Sequence, residues 1–183
     1  MIEAVLADPL AVRALEGARR LDLPDHALMA GALYKAVWNA LTGRPPGYGV
    51  SDYDLAYFDA SDLSWEAEDR VIRRARPVFE DMPVPVEVCN QARVHLWFNE
   101  KYGTNRLPLR NTEDALRHFA SLTHAVALRL DRDGKPDLLA PLGLDAVFSR
   151  TIRPVEGVSN PDGWNRKCDS QKQLWPELDF VRA

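Results

Sequence analysis

Two carboxylates spaced two residues apart, in Ser51-Asp52-Tyr53-Asp54-Leu55-Ala56-Tyr57-Phe58, are the part of this chain best suited to chemistry. The aromatic and aliphatic residues after them read as a buried strand. Residues i and i+2 of a strand point to one face, so Asp52 and Asp54 stand side by side where the strand begins. Two negative charges that close need compensation. A hard divalent cation provides it, and Mg²⁺ typically takes one or two carboxylates together with substrate phosphates. A third carboxylate, Glu87, sits among valines in Val84-Pro85-Val86-Glu87-Val88, a second strand candidate.

The elements that must position these groups are legible on either side. Upstream, a short apolar strand near His26 to Ala30 reaches Gly31 and turns into helical spacing over Ala32 to about Thr42, with Leu33, Ala36, Val37, Ala40 and Leu41 on one stripe. A strand, a glycine and a helix start make a cradle for phosphate, through free backbone N–H groups and the positive end of the helix dipole. Gly31 and Ala32 supply those amides, and Lys35 lies one turn in. A solvated surface position is the plainer reading of Lys35. Tyr34 and Trp38, four apart, read as core. Downstream of Glu87 comes Asn90-Gln91-Ala92-Arg93-Val94-His95, opening a helix to about Tyr102. If Glu87 faces the metal site, Arg93 is near enough to neutralise charge on phosphate. The alternative is that Asn90 caps the helix and Arg93 makes a structural ion pair.

In the haloacid-dehalogenase-type phosphatases and many glycosyltransferases the Asp-x-Asp follows its hydrophobic strand; here it precedes the run. That order resembles the polymerase-β-like nucleotidyltransferases. The combination of Ala30-Gly31, Asp52-x-Asp54-x-x-x-Tyr57-Phe58-Asp59-x-Ser61-Asp62-Leu63-Ser64, Asn90-Gln91-Ala92-Arg93-x-His95, Thr112-Glu113-Asp114-Ala115 and Ala140-Pro141-Leu142-Gly143-Leu144 is similar to a bacterial nucleotidyltransferase-like family, formerly a domain of unknown function. The resemblance implies an α+β fold, a small mixed sheet covered by helices. It implies transfer of a nucleoside monophosphate from a nucleoside triphosphate to an acceptor, with Mg²⁺ or Mn²⁺ as two ions on Asp52, Asp54 and Glu87. Gly31, Ala32, Lys35 and Arg93 become nucleotide-binding candidates. The family's usual Gly-Gly or Gly-Ser is Gly31-Ala32 here, which lacks a hydroxyl for the phosphates. A degenerate fold that binds a nucleotide or a protein without turnover is therefore the main alternative. A phosphohydrolase is a third reading, weakened by the strand order and the lack of a nucleophile.

The remaining elements frame this centre. Asp8-Pro9 opens a helix to about Leu21. Ser64 caps a helix whose acidic start and arginine-rich end suit its dipole and which Pro77 ends or kinks. After a loop over 103–110, Asn111 or Thr112 caps a helix carrying Leu116, Phe119 and Leu122. Ala125 to Leu130 and Leu138-Leu139 pair as a hairpin, and Leu144 to Phe148 forms a short helix. Residues 1–150 are expected to form the nucleotidyltransferase-like domain, its catalytic half at about 8–100. Residues 151–183 form an α/β extension in which Pro154, Gly157, Pro161 and Gly163 interrupt any regular pattern. Its Trp164 and Trp175, among basic residues, either pack into grooves on the body or stack bases.

The 183 residues carry a net charge of −4, 46% hydrophobic and 27% charged residues, an ordinary soluble balance without a global basic footprint for nucleic acid. No apolar run approaches the ~20 residues of a membrane span. The N-terminal residues lack a secretory signal's basic and apolar regions. Cys89 and Cys168 read as reduced cytoplasmic thiols, and the four histidines form no zinc pattern. The acceptor is open: a small molecule, a protein or RNA all fit three carboxylates.

Overall fold

The computed structural model describes residues 1–183. A short helix α1 (Ile2–Leu6) leads into α2 (Pro9–Leu21), where the Asp8 carboxylate accepts from the Leu10 amide, 3.0 Å, and Pro9 fills the first helical position. Strand β1 (Ala27–Met29) runs into α3 (Gly31–Thr42), which Gly43 ends in the left-handed conformation. Ala32 through Asn39 are all buried, so α3 is a core helix covered on every side. Tyr34 and Trp38 are both core residues, 1% and 0% exposed.

Strand β2 (Tyr53–Tyr57) and β3 (Val86–Asn90) are joined by α4 (Trp65–Phe79). Ser64 caps α4 by accepting from the Ala67 amide, 3.2 Å. Of the two outcomes expected at Pro77, an end or a kink, the helix does not end there but continues to Phe79; so near the C-terminus the missing N–H sacrifices a single backbone bond. After β3, Gln91–Arg93 form a tight 3-10 turn before α5 (Val94–Tyr102). Then come α6 (Thr112–Leu116), capped by Asn111, and a 3-10 turn over Leu122–His124. The helix expected through Leu122 is thus a single short turn that stops at Leu116. Strands β4 (Ala127–Leu130) and β5 (Pro136–Leu139) form the expected hairpin, followed by α7 (Asp145–Phe148).

The five strands lie in the order β3-β2-β1-β4-β5. Every pairing is antiparallel except β2 with β3, the pair that α4 connects. Strand alternation divides β2: Leu55 and Tyr57 pack with Ala18, Leu21, Ala75 and Phe79 of α2 and α4, while Asp54 and Ala56 point to the opposite face. At Gly17 a Cβ would lie 2.3 Å from the Phe79 ring, so the α2–α4 approach requires glycine there.

Beyond residue 150, β6 (Thr151–Ile152) pairs in parallel with β7 (Asp179–Phe180), and α8 (Pro161–Leu174) lies between them in sequence. This 14-residue helix overturns the expectation that proline and glycine interrupt regular structure here. Asn160 caps it, accepting from the Gly163 amide at 2.9 Å, and Pro161 occupies its first position, where a missing N–H costs nothing. Trp164, Cys168, Trp175 and Leu178 all enter the main core. Trp175 is fully buried and donates to Asn39 Oδ1, 3.0 Å. Gln171 donates to the Tyr34 hydroxyl, 3.0 Å. Both cysteines are free.

Candidate active site

Register brings the carboxylates together. Asp54 pairs with Glu87 across β2 and β3, and with Met29 across β1 and β2. Asp52, two residues before Asp54, completes a cluster whose oxygens all lie within 4.8 Å of one another. Ser51 donates to Asp52 Oδ1, 2.9 Å. The donor set is all oxygen and carries three negative charges without a bridging cation from the chain. That chemistry fits a hard divalent ion, Mg²⁺ or Mn²⁺, and not a soft one.

The electrostatics agree. Asp54 is open to solvent on the cavity side, and its partial desolvation by the surrounding protein first, then the charges of Asp52 and Glu87, push its carboxyl up to about 6, against the opposing pull of Lys167 and Lys35. Burial, with Asp54 and Glu87 nearby, also raises the Cys89 thiol to about 11, so Cys89 is a protonated neighbour rather than a nucleophile.

The pairing of Met29 with Asp54 delivers the start of α3 next to the carboxylates. Ala30 there holds φ +47°, an uncommon conformation for a residue with a Cβ, while its amide donates to Val126 O at 2.8 Å. The amides of Gly31 and Ala32, in the first turn, have no carbonyl one turn back to bond. A Cβ on Gly31 would meet nothing within 4 Å, so its backbone can be approached. Lys35 is buried and donates to Gly49 O, 2.9 Å, which ties α3 to the loop leading into Asp52. It is not the solvated surface lysine of the plainer reading, and its charge still acts on Asp54.

Arg93 is not brought to the cluster. Its Nε donates to Leu63 O at 2.9 Å, its Nη1 pairs with Glu68, and its guanidinium lies 5.9 Å from the Trp65 ring centre. Glu68 Oε1 in turn accepts from the Asn90 amide, 2.8 Å, and Asn90 accepts from the Ala92 amide, 3.1 Å. Both parts of the alternative reading, the Asn90 cap and the Arg93 ion pair, are present.

The carboxylates open onto a cavity of about 780 Å³, towards the upper end of ligand pockets. Asp54, Ala56, Glu87 and Cys89 form its floor, the aromatic side of α5 one wall, and residues of α8, among them Trp164 and Lys167, another. Sequence reasoning missed Lys167, whose charge acts on Asp54, because it read the C-terminal segment only as a packed extension or a base-stacking one and placed none of its cations beside the carboxylates. It also missed His124. This ring is buried, stacks on Tyr34 with centroids 4.7 Å apart, lines the cavity and has no partner for Nε2. Burial, then Lys167 and Lys35, holds it neutral. No local pattern marked it; only the fold places it here.

Comparison with known proteins gives the family and the fold. The sequence profile of a nucleotidyltransferase family matches residues 16–180, and the chain belongs to that family. It has the polymerase-β-like fold: an NMR structure described as revealing a CCA-adding enzyme head domain superimposes with a TM-score of 0.78 at 24% identity, covering 99% of this chain and 94% of that one. No curated protein matches the sequence. No helix is long and apolar enough to cross a membrane.

Proposed function

We propose that this protein is a metal-dependent nucleotidyltransferase that moves a nucleoside monophosphate from a nucleoside triphosphate to an acceptor hydroxyl. The observation that carries this reading is the closeness of the Asp52, Asp54 and Glu87 oxygens, within 4.8 Å, in a chain of a nucleotidyltransferase family. Asp52, Asp54 and Glu87 would hold Mg²⁺ or Mn²⁺, two ions in this reading, which would supply positive charge to the transferring phosphate. The amides of Gly31 and Ala32 donate to the triphosphate at the positive end of α3. The charges of Lys167 and Lys35, both felt at Asp54, offset the charge of the triphosphate. Arg93 acts on the site at one remove, by fixing the Asn90 turn that follows Glu87. The acceptor oxygen bonds to the α-phosphorus, the α–β anhydride bond breaks, pyrophosphate departs and the acceptor proton goes to solvent. The reaction suits a reducing, nucleotide-rich cytoplasm, where Cys89 and Cys168 stay free.

Incubation of the purified protein with each α-labelled triphosphate, Mg²⁺ or Mn²⁺ and fractionated cell extract tests this. Label joined to an acceptor with release of pyrophosphate, absent in the Asp52→Ala/Asp54→Ala variant, is the expected result. The second reading, a binding module, draws on the start of α3, where Ala30 and Ala32 offer no hydroxyl and no side chain caps the helix. It predicts metal-dependent nucleotide binding with no product in a single turnover.

A further inference from the structure

The cavity is divided by charge. Its floor is acidic. Away from the floor, Arg106, Arg117 and His118 line it, from the loop after α5 and the end of α6. Arg117 has a carboxylate partner, Glu113 at 3.6 Å. Arg106 has none. Its guanidinium lies 3.8 Å from the centre of the Phe98 ring, and its one polar contact is a long 3.5 Å approach to His118 O. Five N–H donors in a fixed fork are thus almost unused. Burial lowers the Arg106 pKa, the sign of a charge partly withdrawn from water.

This arginine is held in place from behind. Asn99 Oδ1 accepts from the Arg106 amide, 2.7 Å, and from the Thr104 hydroxyl, 2.8 Å, while Asn99 Nδ2 donates to Arg106 O, 2.9 Å. A fixed, partly desolvated guanidinium that lines the cavity and has no carboxylate partner of its own is complementary to an anion. Lys167 and Lys35 are the cations that act most on Asp54, so the triphosphate has compensation other than Arg106. A cavity of about 780 Å³ has room for a second ligand.

We propose that Arg106, stacked on Phe98, receives the anionic group of a small acceptor, a phosphate or a carboxylate, bound in the same cavity as the nucleotide. The apolar part of that acceptor lies against Trp97 and Tyr102. The acceptor role rests on the nucleotidyltransferase reading; the anion subsite stands independently of it.

Titrations of the full chain with inorganic phosphate, acetate and neutral glycerol test the subsite. The Trp97 indole N–H, assigned with Trp97→Phe, is the NMR reporter, and nucleotide affinity is measured in parallel with a non-hydrolysable triphosphate and Mg²⁺. The expected result is a saturable Trp97 shift with phosphate or acetate and none with glycerol. It weakens at least tenfold in Arg106→Met, which keeps the apolar stem, and persists in Lys167→Met and in Asp52→Ala/Asp54→Ala. Nucleotide affinity in Arg106→Met stays within twofold. No saturable shift, or an equal shift in folded Arg106→Met, overturns the subsite. A tenfold loss of nucleotide affinity in Arg106→Met overturns it as well, by giving the arginine to the triphosphate. Loss of nucleotide binding by the unaltered protein would count against the transferase reading alone, because the anion titration is read without nucleotide.

Discussion

Asp54 and Glu87 are register partners across the one parallel strand pair of the main sheet. A parallel pair needs a crossover, and α4 provides it, so two acids far apart in sequence meet because a helix returns the chain in the same direction.

That closeness makes metal affinity depend on pH. Asp54 is held up to about 6, first by partial desolvation and then by Asp52 and Glu87. A metal ligand must shed its proton, so Mn²⁺ affinity falls as pH drops through 6, and proton release accompanies binding. For the metal-free protein the sign is opposite. Between the ordinary carboxyl value and about 6 the folded state binds the extra proton, so raising the pH through this window lowers stability. Calorimetric Mn²⁺ titrations at pH 5, 6 and 7 check this; an affinity that does not change over the range refutes it.

Arg93→Met should cost about 3 kcal/mol, because it strands the buried Glu68 carboxylate. Urea denaturation measures the loss. A fall in nucleotide affinity with unchanged stability would instead return Arg93 to direct nucleotide contact.

Gly31→Ala should leave the fold intact and slightly favour α3, since the added Cβ meets nothing. Gly31→Val crowds the approach to the two free amides. A triphosphate affinity at least tenfold weaker in the valine variant, with AMP binding little changed, is the expected pattern. Equal triphosphate binding by both variants removes the phosphate cradle from the proposal.

Trp175→Ala should destabilise the protein by about 4 kcal/mol, through cavity formation and the loss of the bond to Asn39. Metal affinity should fall with it. Gly49, whose carbonyl receives Lys35, sits against this indole so closely that a Cβ there would lie 2.4 Å from it. Unchanged metal affinity in folded Trp175→Ala would separate the loop's placement from the tryptophan.

The acidic cluster was legible because its cause is local: alternation places Asp52 and Asp54 on one side, and valines mark the strand of Glu87. The start of α3 was legible for the same reason, as a strand, a glycine and a helical stripe. Lys35 was not, since its partner is a carbonyl of a loop that only the fold brings near. Arg93 carried both an ion-pair and a phosphate reading until its pairing with Glu68 was seen, because the distance between α4 and the turn after β3 is not written in either segment. The helix at 161–174 was missed by reading Pro161 and Gly163 as breakers, although Asn-Pro-Asp-Gly is also a helix opening. His124 and Arg106 were illegible in principle: each gains its meaning from a cavity wall assembled from distant segments.

The bond from Trp175 to Asn39 spans 136 positions along the chain. On the ribosome, the acids and the glycine of the candidate site emerge long before the indole that wedges their loop. Cation capture should therefore arise late in biosynthesis, when the final helix docks, and a nascent chain arrested before α8 should hold its carboxylates without yet having a pocket.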